Sequence, residues 1–329
     1  GKIDGIHRKL NFLDMKGTIG IAHTRWATHG GVTKENTHPH LCNNGKIAVV
    51  HNGIIENYQE LKSFLKSNGF KFLSDTDTEI IPNLIEFEMK SGKNFEKAAI
   101  AALKRLEGNF AVLILHEDER KLIAARRGAP LVLGVSNDEY FVASDIPSFL
   151  EHTKNVTYLY DNDVVILDGG LRIYNLHEEK EVIRPVDTVE WDIQQAIKGD
   201  FDHFMLKEIS EQVETIQRAI DQDKSILFEI VDAIKSSKGV FFVACGTSYH
   251  ACLTASYLFS KIAKMHVNVV VASEFPSYEH FLTDKTLVIA VSQSGETADV
   301  LEAVKTAKKK NSKVLSLVNV MGSSLYRYS

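Results

Sequence analysis

Two groups of residues in this chain have the types and spacing to do chemistry. The first lies early. His23-Thr24-Arg25-Trp26-Ala27-Thr28-His29-Gly30 puts a guanidinium, an indole, a hydroxyl and imidazoles into one short stretch. An arginine there offers a bidentate fork for a carboxylate. His51-Asn52-Gly53 sets a side-chain amide beside a glycine N–H, a workable oxyanion hole for acyl transfer. Asp77 supplies a negative charge for an ammonium group. Together these would clasp an α-amino acid and stabilise attack on its side-chain amide. Alone, each has a plainer reading: Asp77 as a helix cap and Asn52-Gly53 as a turn.

The second group is hydroxyl-rich. Cys245-Gly246-Thr247-Ser248 and Ser292-Gln293-Ser294-Gly295-Glu296-Thr297 each follow an apolar strand-like run and lead into a helical pattern. Ligands of open parallel sheets bind at the carboxyl ends of strands. A helix N-terminus presents free N–H groups and the positive dipole end to an anion. Neither loop has the GxGxxG or Walker spacing, so a sugar monophosphate suits them better than a dinucleotide or a nucleoside triphosphate. The plainer reading makes these serines and threonines N-caps; two such loops in one sheet favour a ligand site.

The elements that must hold these groups divide the chain in two. Strands are predicted over 18–22, 46–50, 109–115, 121–125, 131–135, 140–143, 156–160, 164–167 and 171–174, with short hairpin connections after residue 109. Helices are predicted over 56–67, 78–90 and 95–106, the second opened by Thr76-Asp77-Thr78-Glu79 with capping-box spacing. The pattern changes near Pro185. Long helices are predicted over 205–221 and 225–235. Strands over 240–244, 267–271, 287–291 and 314–318 then alternate with helices over 249–264 and 298–309. Continuous apolar strands between helices imply a parallel sheet covered on both faces. The expectation is an α+β sandwich domain followed by a doubly wound α/β domain.

Composition narrows the classes. The chain has 329 residues, 44% hydrophobic and 25% charged, as in soluble globular proteins. Its formal net charge of -5 makes it a poor partner for nucleic acid. No apolar run approaches the ~20 residues a membrane-spanning helix needs. Cys42, Cys245 and Cys252 form no CxxC pair, consistent with a reducing, cytoplasmic setting without disulfides. The histidines at 23, 29, 38, 40 and 51 lack HExxH or Cys/His spacing, so neither a metal nor a cofactor is expected. Cys42 has no evident base partner and reads as structural. Lys308-Lys309-Lys310 sits where it would complement a helix dipole.

In order along the chain, HTRWATHG at 23–30, HPH at 38–40, HNGIIENY at 51–58, DTDTE at 75–79, HFMLKEISEQ at 203–212, ACGTSYHA at 244–251 and SQSGETADV at 292–300 resemble the glutamine–fructose-6-phosphate aminotransferases. The resemblance implies a class II glutamine amidotransferase domain of the N-terminal-nucleophile (αββα) fold over 1–190. It implies a linker over 191–205 and a first sugar-isomerase (SIS) domain over 206–329. By the same resemblance Arg25, Trp26, Thr28, His29 and Asp77 bind glutamine, and Asn52 and Gly53 form the oxyanion hole. Thr247, Ser248, Ser292, Gln293, Ser294 and Thr297 hold the sugar phosphate of fructose 6-phosphate, and the partner is a second copy through the SIS domains.

The family's nucleophile is an N-terminal cysteine with its own amino group as base. Family members open on a Cys-Gly-Ile-type segment, whereas this sequence opens on Gly1-Lys2 and closes on Tyr326-Arg327-Tyr328-Ser329. The expectation is an internal fragment, inactive alone. A reading from another class, a non-catalytic sugar-phosphate sensor with a degenerate glutaminase domain, stays open at this point.

Overall fold

A computed structural model describes residues 3–10, 14–25, 30–189, 201, 203–320 and 322–329. The chain divides into two compact units, Gly1–Ile193 and Gln194–Ser329. The linker expected over 191–205 lies mostly outside the described residues.

The first unit begins with helix α1 (Ile3–Leu10) and rests on two antiparallel sheets. Its strands are β1 (His40–Leu41), β2 (Ile47–Ile55), β3 (Gly108–His116), β4 (Leu122–Arg127), β5 (Val132–Val135) and β6 (Tyr140–Ala143). They continue with β7 (Asn155–Tyr158), β8 (Asp163–Leu167), β9 (Leu171–Asn175), β10 (Lys180–Glu181) and β11 (Asp187–Thr188). The larger sheet runs β1-β2-β3-β4-β8-β9-β10 and the smaller β11-β7-β5-β6. Alternation sorts the side chains of the larger sheet. Phe110, Val112 and Ile114 of β3, with Ile123 and Val164, face a cluster that includes helices α2 (Tyr58–Ser67), α3 (Ile80–Lys90) and α4 (Phe95–Lys104). Ala111, Ala124 and Val165 face a second cluster with Leu133 of the smaller sheet and Leu131 just before it. The layers are helix, sheet, sheet. α3 is buried almost all round, Asn83, Glu86 and Glu88 included; Ile80, Ile81, Leu84 and Ile85 are fully buried, and each such apolar side chain contributes roughly 1.5–3 kcal/mol.

The second unit carries α5 (Phe204–Ser210), α6 (Gln212–Ile220) and α7 (Lys224–Ser236), then β12 (Gly239–Ala244), α8 (Gly246–Leu258), β13 (Asn268–Val271), β14 (Thr286–Ser292), α9 (Ala298–Lys309), β15 (Lys313–Val318) and α10 (Ser324–Tyr328). Its sheet is parallel, in the order β13-β12-β14-β15. One face packs Phe241, Val243 and Val288 under Val300 and Val304 of α9. The other packs Val240, Phe242 and Leu287 under Ala233 of α7 and Cys252 of α8. This is the doubly wound arrangement that continuous apolar strands predict.

Three local expectations fail, and one element was not foreseen. No strand forms at 18–22, which lies in irregular chain. Apolar alternation says nothing of whether a partner strand is present. The helix predicted over 205–221 is two helices meeting at Glu211. A 3-10 helix over Ala272–Phe281, with Pro276 inside, had no periodic signal. The capping box at Thr76 also does not form. Instead the buried Glu79 carboxylate reaches back and accepts from Leu73 N (2.9 and 3.1 Å), Ser74 N (2.7 Å) and Ser74 Oγ (2.7 Å).

That carboxylate ties down the turn that presents Thr76, Asp77 and Thr78. Glu79→Ala removes an acceptor from several buried donors, each costing about 1–3 kcal/mol when unsatisfied. Urea unfolding should show a loss of about 3 kcal/mol; a loss below about 0.5 kcal/mol would show that the turn holds without it.

Candidate functional site

β2 runs further than its apolar pattern predicts, so Asn52 and Gly53 lie within the strand, not after it. Its residues 47–51 are largely buried, 52–54 are exposed and Ile55 is buried again. Gly53 stands opposite Phe110 with φ +115°, and a Cβ there would come within 2.1 Å of the Asn109 carbonyl oxygen. No other residue fits that approach without moving β3.

A cavity of about 340 Å³ opens at this point. Its lining comes from His23, Thr24 and Arg25, from His38, from His51 to Ile54 of β2, and from Thr76 to Thr78. Four of the sequence-predicted glutamine residues, Arg25, Asn52, Gly53 and Asp77, therefore meet in one hollow. Trp26, Thr28 and His29 lie outside the described residues. Arg25 donates to the carbonyls of Gly31 (3.0 Å) and Gly30 (3.2 Å), which fixes where its guanidinium stands. Buried Asp77 accepts from Ile55 N at 2.8 Å through Oδ2. That bond pins its turn to the end of β2. Asn52 Oδ1 accepts from His23 Nε2 at 2.7 Å.

Histidines form the rear wall. The Thr78 hydroxyl meets His51 Nδ1 at 2.9 Å and His38 Nε2 at 3.2 Å, and Thr76 Oγ1 meets His40 Nε2 at 3.1 Å. His38 stacks on His23 with ring centroids 4.2 Å apart. Burial, reinforced by the neighbouring imidazoles, lowers His38 to about 3. Burial likewise lowers His51 to about 4, against the opposing pull of Asp77. Both are neutral at physiological pH. Among the described residues no group of His, Cys, Asp and Glu is arranged to hold a metal. Cys42 is buried; its thiol donates to Asn44 Oδ1 (2.9 Å) and accepts from Ile47 N (3.2 Å). Burial pushes its pKa up, the wrong direction for a nucleophile.

In the second unit, β12 and β14 are neighbours in register, with Ala244 opposite Val291. Their following loops therefore emerge side by side at the carboxyl edge of the sheet. Gly246 takes φ +56° at the start of α8, which places Thr247 and Ser248 in its first turn. Thr297 is the N-cap of α9. Gln293 is exposed and Ser294 half-buried, whereas Ser292 is buried, and its Oγ accepts from Gly295 N (3.1 Å) and meets Thr297 Oγ1 (3.0 Å). Ser292 thus shapes the loop from within. Sequence reasoning missed the brace beneath it. Glu296 Oε1 accepts from Ser324 N (2.7 Å), Leu325 N donates to Gly295 O (3.0 Å), and Asn319 N donates to Gln293 O (3.2 Å). Its one sequence signal was a charged Glu296 inside a loop of small residues.

Comparison with known proteins agrees with this division. Residues 23–151 match the glutamine amidotransferase domain and residues 233–329 the SIS domain. The chain is 48% identical over 330 residues to the glutamine–fructose-6-phosphate aminotransferase (isomerizing) of Thermococcus kodakarensis. It is 47% identical over 328 residues to that of Methanothermobacter thermautotrophicus. Each alignment takes 99% of this chain and 55% of the relative, so the chain spans about half the length of these relatives. A solved C-terminal domain of glucosamine-fructose-6-phosphate aminotransferase from Francisella tularensis is 38% identical over 40% of this chain and 39% of that one, with a TM-score of 0.36.

The buried histidines give the site a pH signature. An unfolded histidine protonates near 6.5, whereas His51 and His38 resist protonation down to about 4 and about 3. Below about pH 6.5 the unfolded chain binds more protons than the folded one, so stability is full above that value and is lost as pH falls toward 4. Urea midpoints measured from about pH 7 to about pH 5 should decline. His38→Gln should flatten the decline. A midpoint unchanged over that range, or one that rises, would contradict the assignment.

Proposed function

We propose that this chain, which joins a glutamine amidotransferase domain to an SIS domain, carries the glutamine site and a sugar-phosphate cradle of a glutamine–fructose-6-phosphate aminotransferase. The reaction moves the amide nitrogen of glutamine to fructose 6-phosphate and yields glucosamine 6-phosphate and glutamate. The observation that carries this reading is the meeting of Arg25, Asn52, Gly53 and Asp77 around one cavity.

In this reading Arg25 takes the α-carboxylate of glutamine and Asp77 its ammonium, with Trp26, Thr28 and His29 completing the glutamine loop. The nucleophile is the leading cysteine of the longer protein, with its own α-amino group as base. Its thiolate attacks the amide carbon, and negative charge grows on the amide oxygen. Asn52 Nδ2 and the Gly53 N–H take that charge. Collapse of the intermediate expels ammonia and leaves a thioester, which water hydrolyses to glutamate. The ammonia is consumed at the sugar. Thr247, Ser248, Gln293, Ser294 and Thr297 offer hydrogen bonds to the phosphate at two helix N-termini, while Ser292 holds the second loop in shape. The domain limits of this reading are 1–190 and 206–329. A second copy docks through the SIS domains, and the setting is cytoplasmic.

Two sets of variants in the full-length protein test the reading. Asn52→Ala should slow glutamine hydrolysis about 10²–10³-fold with little change in KM. Arg25→Ala should chiefly raise KM for glutamine. Equal kcat losses in both, at unchanged KM, would contradict these roles. Ser294→Ala should weaken fructose 6-phosphate by about 1.5–3 kcal/mol in calorimetry and leave glutaminase turnover intact. Unchanged sugar-phosphate affinity would remove the loop from the site. Sugar-phosphate binding without any glutamate release would favour the sensor reading.

A further inference from the structure

We propose that His23 is a positioning residue that fixes which end of the Asn52 amide faces the reacting glutamine. The inference rests on the reading of Asn52 as an oxyanion donor. A primary amide has a donor end and an acceptor end of nearly the same size, and an Asn52 free to rotate would also offer its carbonyl oxygen to a developing oxyanion. That orientation repels where the other attracts. His23 Nε2 lies 2.7 Å from Asn52 Oδ1. A carbonyl oxygen only accepts, so the imidazole must donate from Nε2. The bond occupies Oδ1 and leaves Nδ2 as the free end of the amide.

The ring that makes this bond is itself held. His23 lies against His38, with 28° between the ring planes. His38 meets Thr78 Oγ1, and the same hydroxyl meets His51 Nδ1. His51 immediately precedes Asn52 on β2. The path therefore closes on the strand that carries the amide. His23 has a buried Nδ1 with no partner among the described residues. The His23 ring thus donates at its edge and stacks through its face.

The test is a double-mutant cycle on glutamine hydrolysis in the full-length protein. His23→Ala should lower kcat about 10-fold and leave KM for glutamine within about twofold, since only the donor end of Asn52 is disturbed. His23→Gln, which can present an amide N–H near the Nε2 position, should recover most of that loss. In an Asn52→Ala background His23→Ala should cost nothing further. An undiminished loss in that background, or a loss expressed in KM, would overturn the proposal. A second readout needs no turnover. In NMR of the folded protein, His23→Ala should shift the Asn52 side-chain amide signals and speed their hydrogen exchange. Signals that stay put would refute the bond, whether or not the protein hydrolyses glutamine. Absent turnover in the wild type would instead refute the proposed function.

Discussion

The register between β2 and β3 is the constraint from which the rest of the first unit follows. The two strands pair without a break from Ile47 opposite His116 to Ile55 opposite Gly108. A slip of one residue would turn every side chain of β2 to the other face. Ile47, Val49 and Ile55 pin the register because they are buried in the helix-side core. Between these anchors the strand surfaces for Asn52, Gly53 and Ile54. Gly53 is the point of closest approach, and its lack of a Cβ lets β3 run past. Reactive groups thus stand at a fixed height on a rigid element, with the core as their foundation. Ile55 N then donates to Asp77, so the same strand also locates the turn across the cavity.

The second unit solves a similar problem by other means. A parallel sheet brings two loops to one edge simply by strand order, since β12 and β14 are adjacent. The loops need no strain to meet, but they do need support. Ser292, Thr297 and Gly295 lace the second loop internally, and Asn319, Ser324 and Leu325 brace it from beneath. Gly295 takes φ +67°, and a Cβ there would fall 2.1 Å from Ser323 Oγ. Small residues in such a loop serve its packing.

Much of this was legible in the sequence, and the gaps have physical causes. Strand and helix signals that depend on local periodicity served well: α9 begins and ends where the pattern over 298–309 does. The helix predicted over 56–67 ends at Ser67 as expected, just ahead of Gly69 at φ +85°. The residue types of the site were legible as well, because a fork, an amide and a carboxylate announce their chemistry. Partners distant along the chain were not. Glu79 looks like half of a capping box, but its acceptors' worth is decided by where residues 73 and 74 fold. Segment 18–22 alternates like a strand but pairs with none of the described strands. His23 and Asn52 lie far apart in sequence, and neither residue type hints at the other.

The central claim is that the two units bind different small molecules at the sites described. Hydrogen exchange read by mass spectrometry on the full-length protein, with glutamate or fructose 6-phosphate added separately, tests it most directly. Glutamate should slow exchange in peptides covering 23–30, 51–55 and 73–79. Fructose 6-phosphate should slow those covering 245–249 and 292–298. Protection of the same peptides by both ligands, or protection by either ligand confined to the opposite unit, would contradict the account.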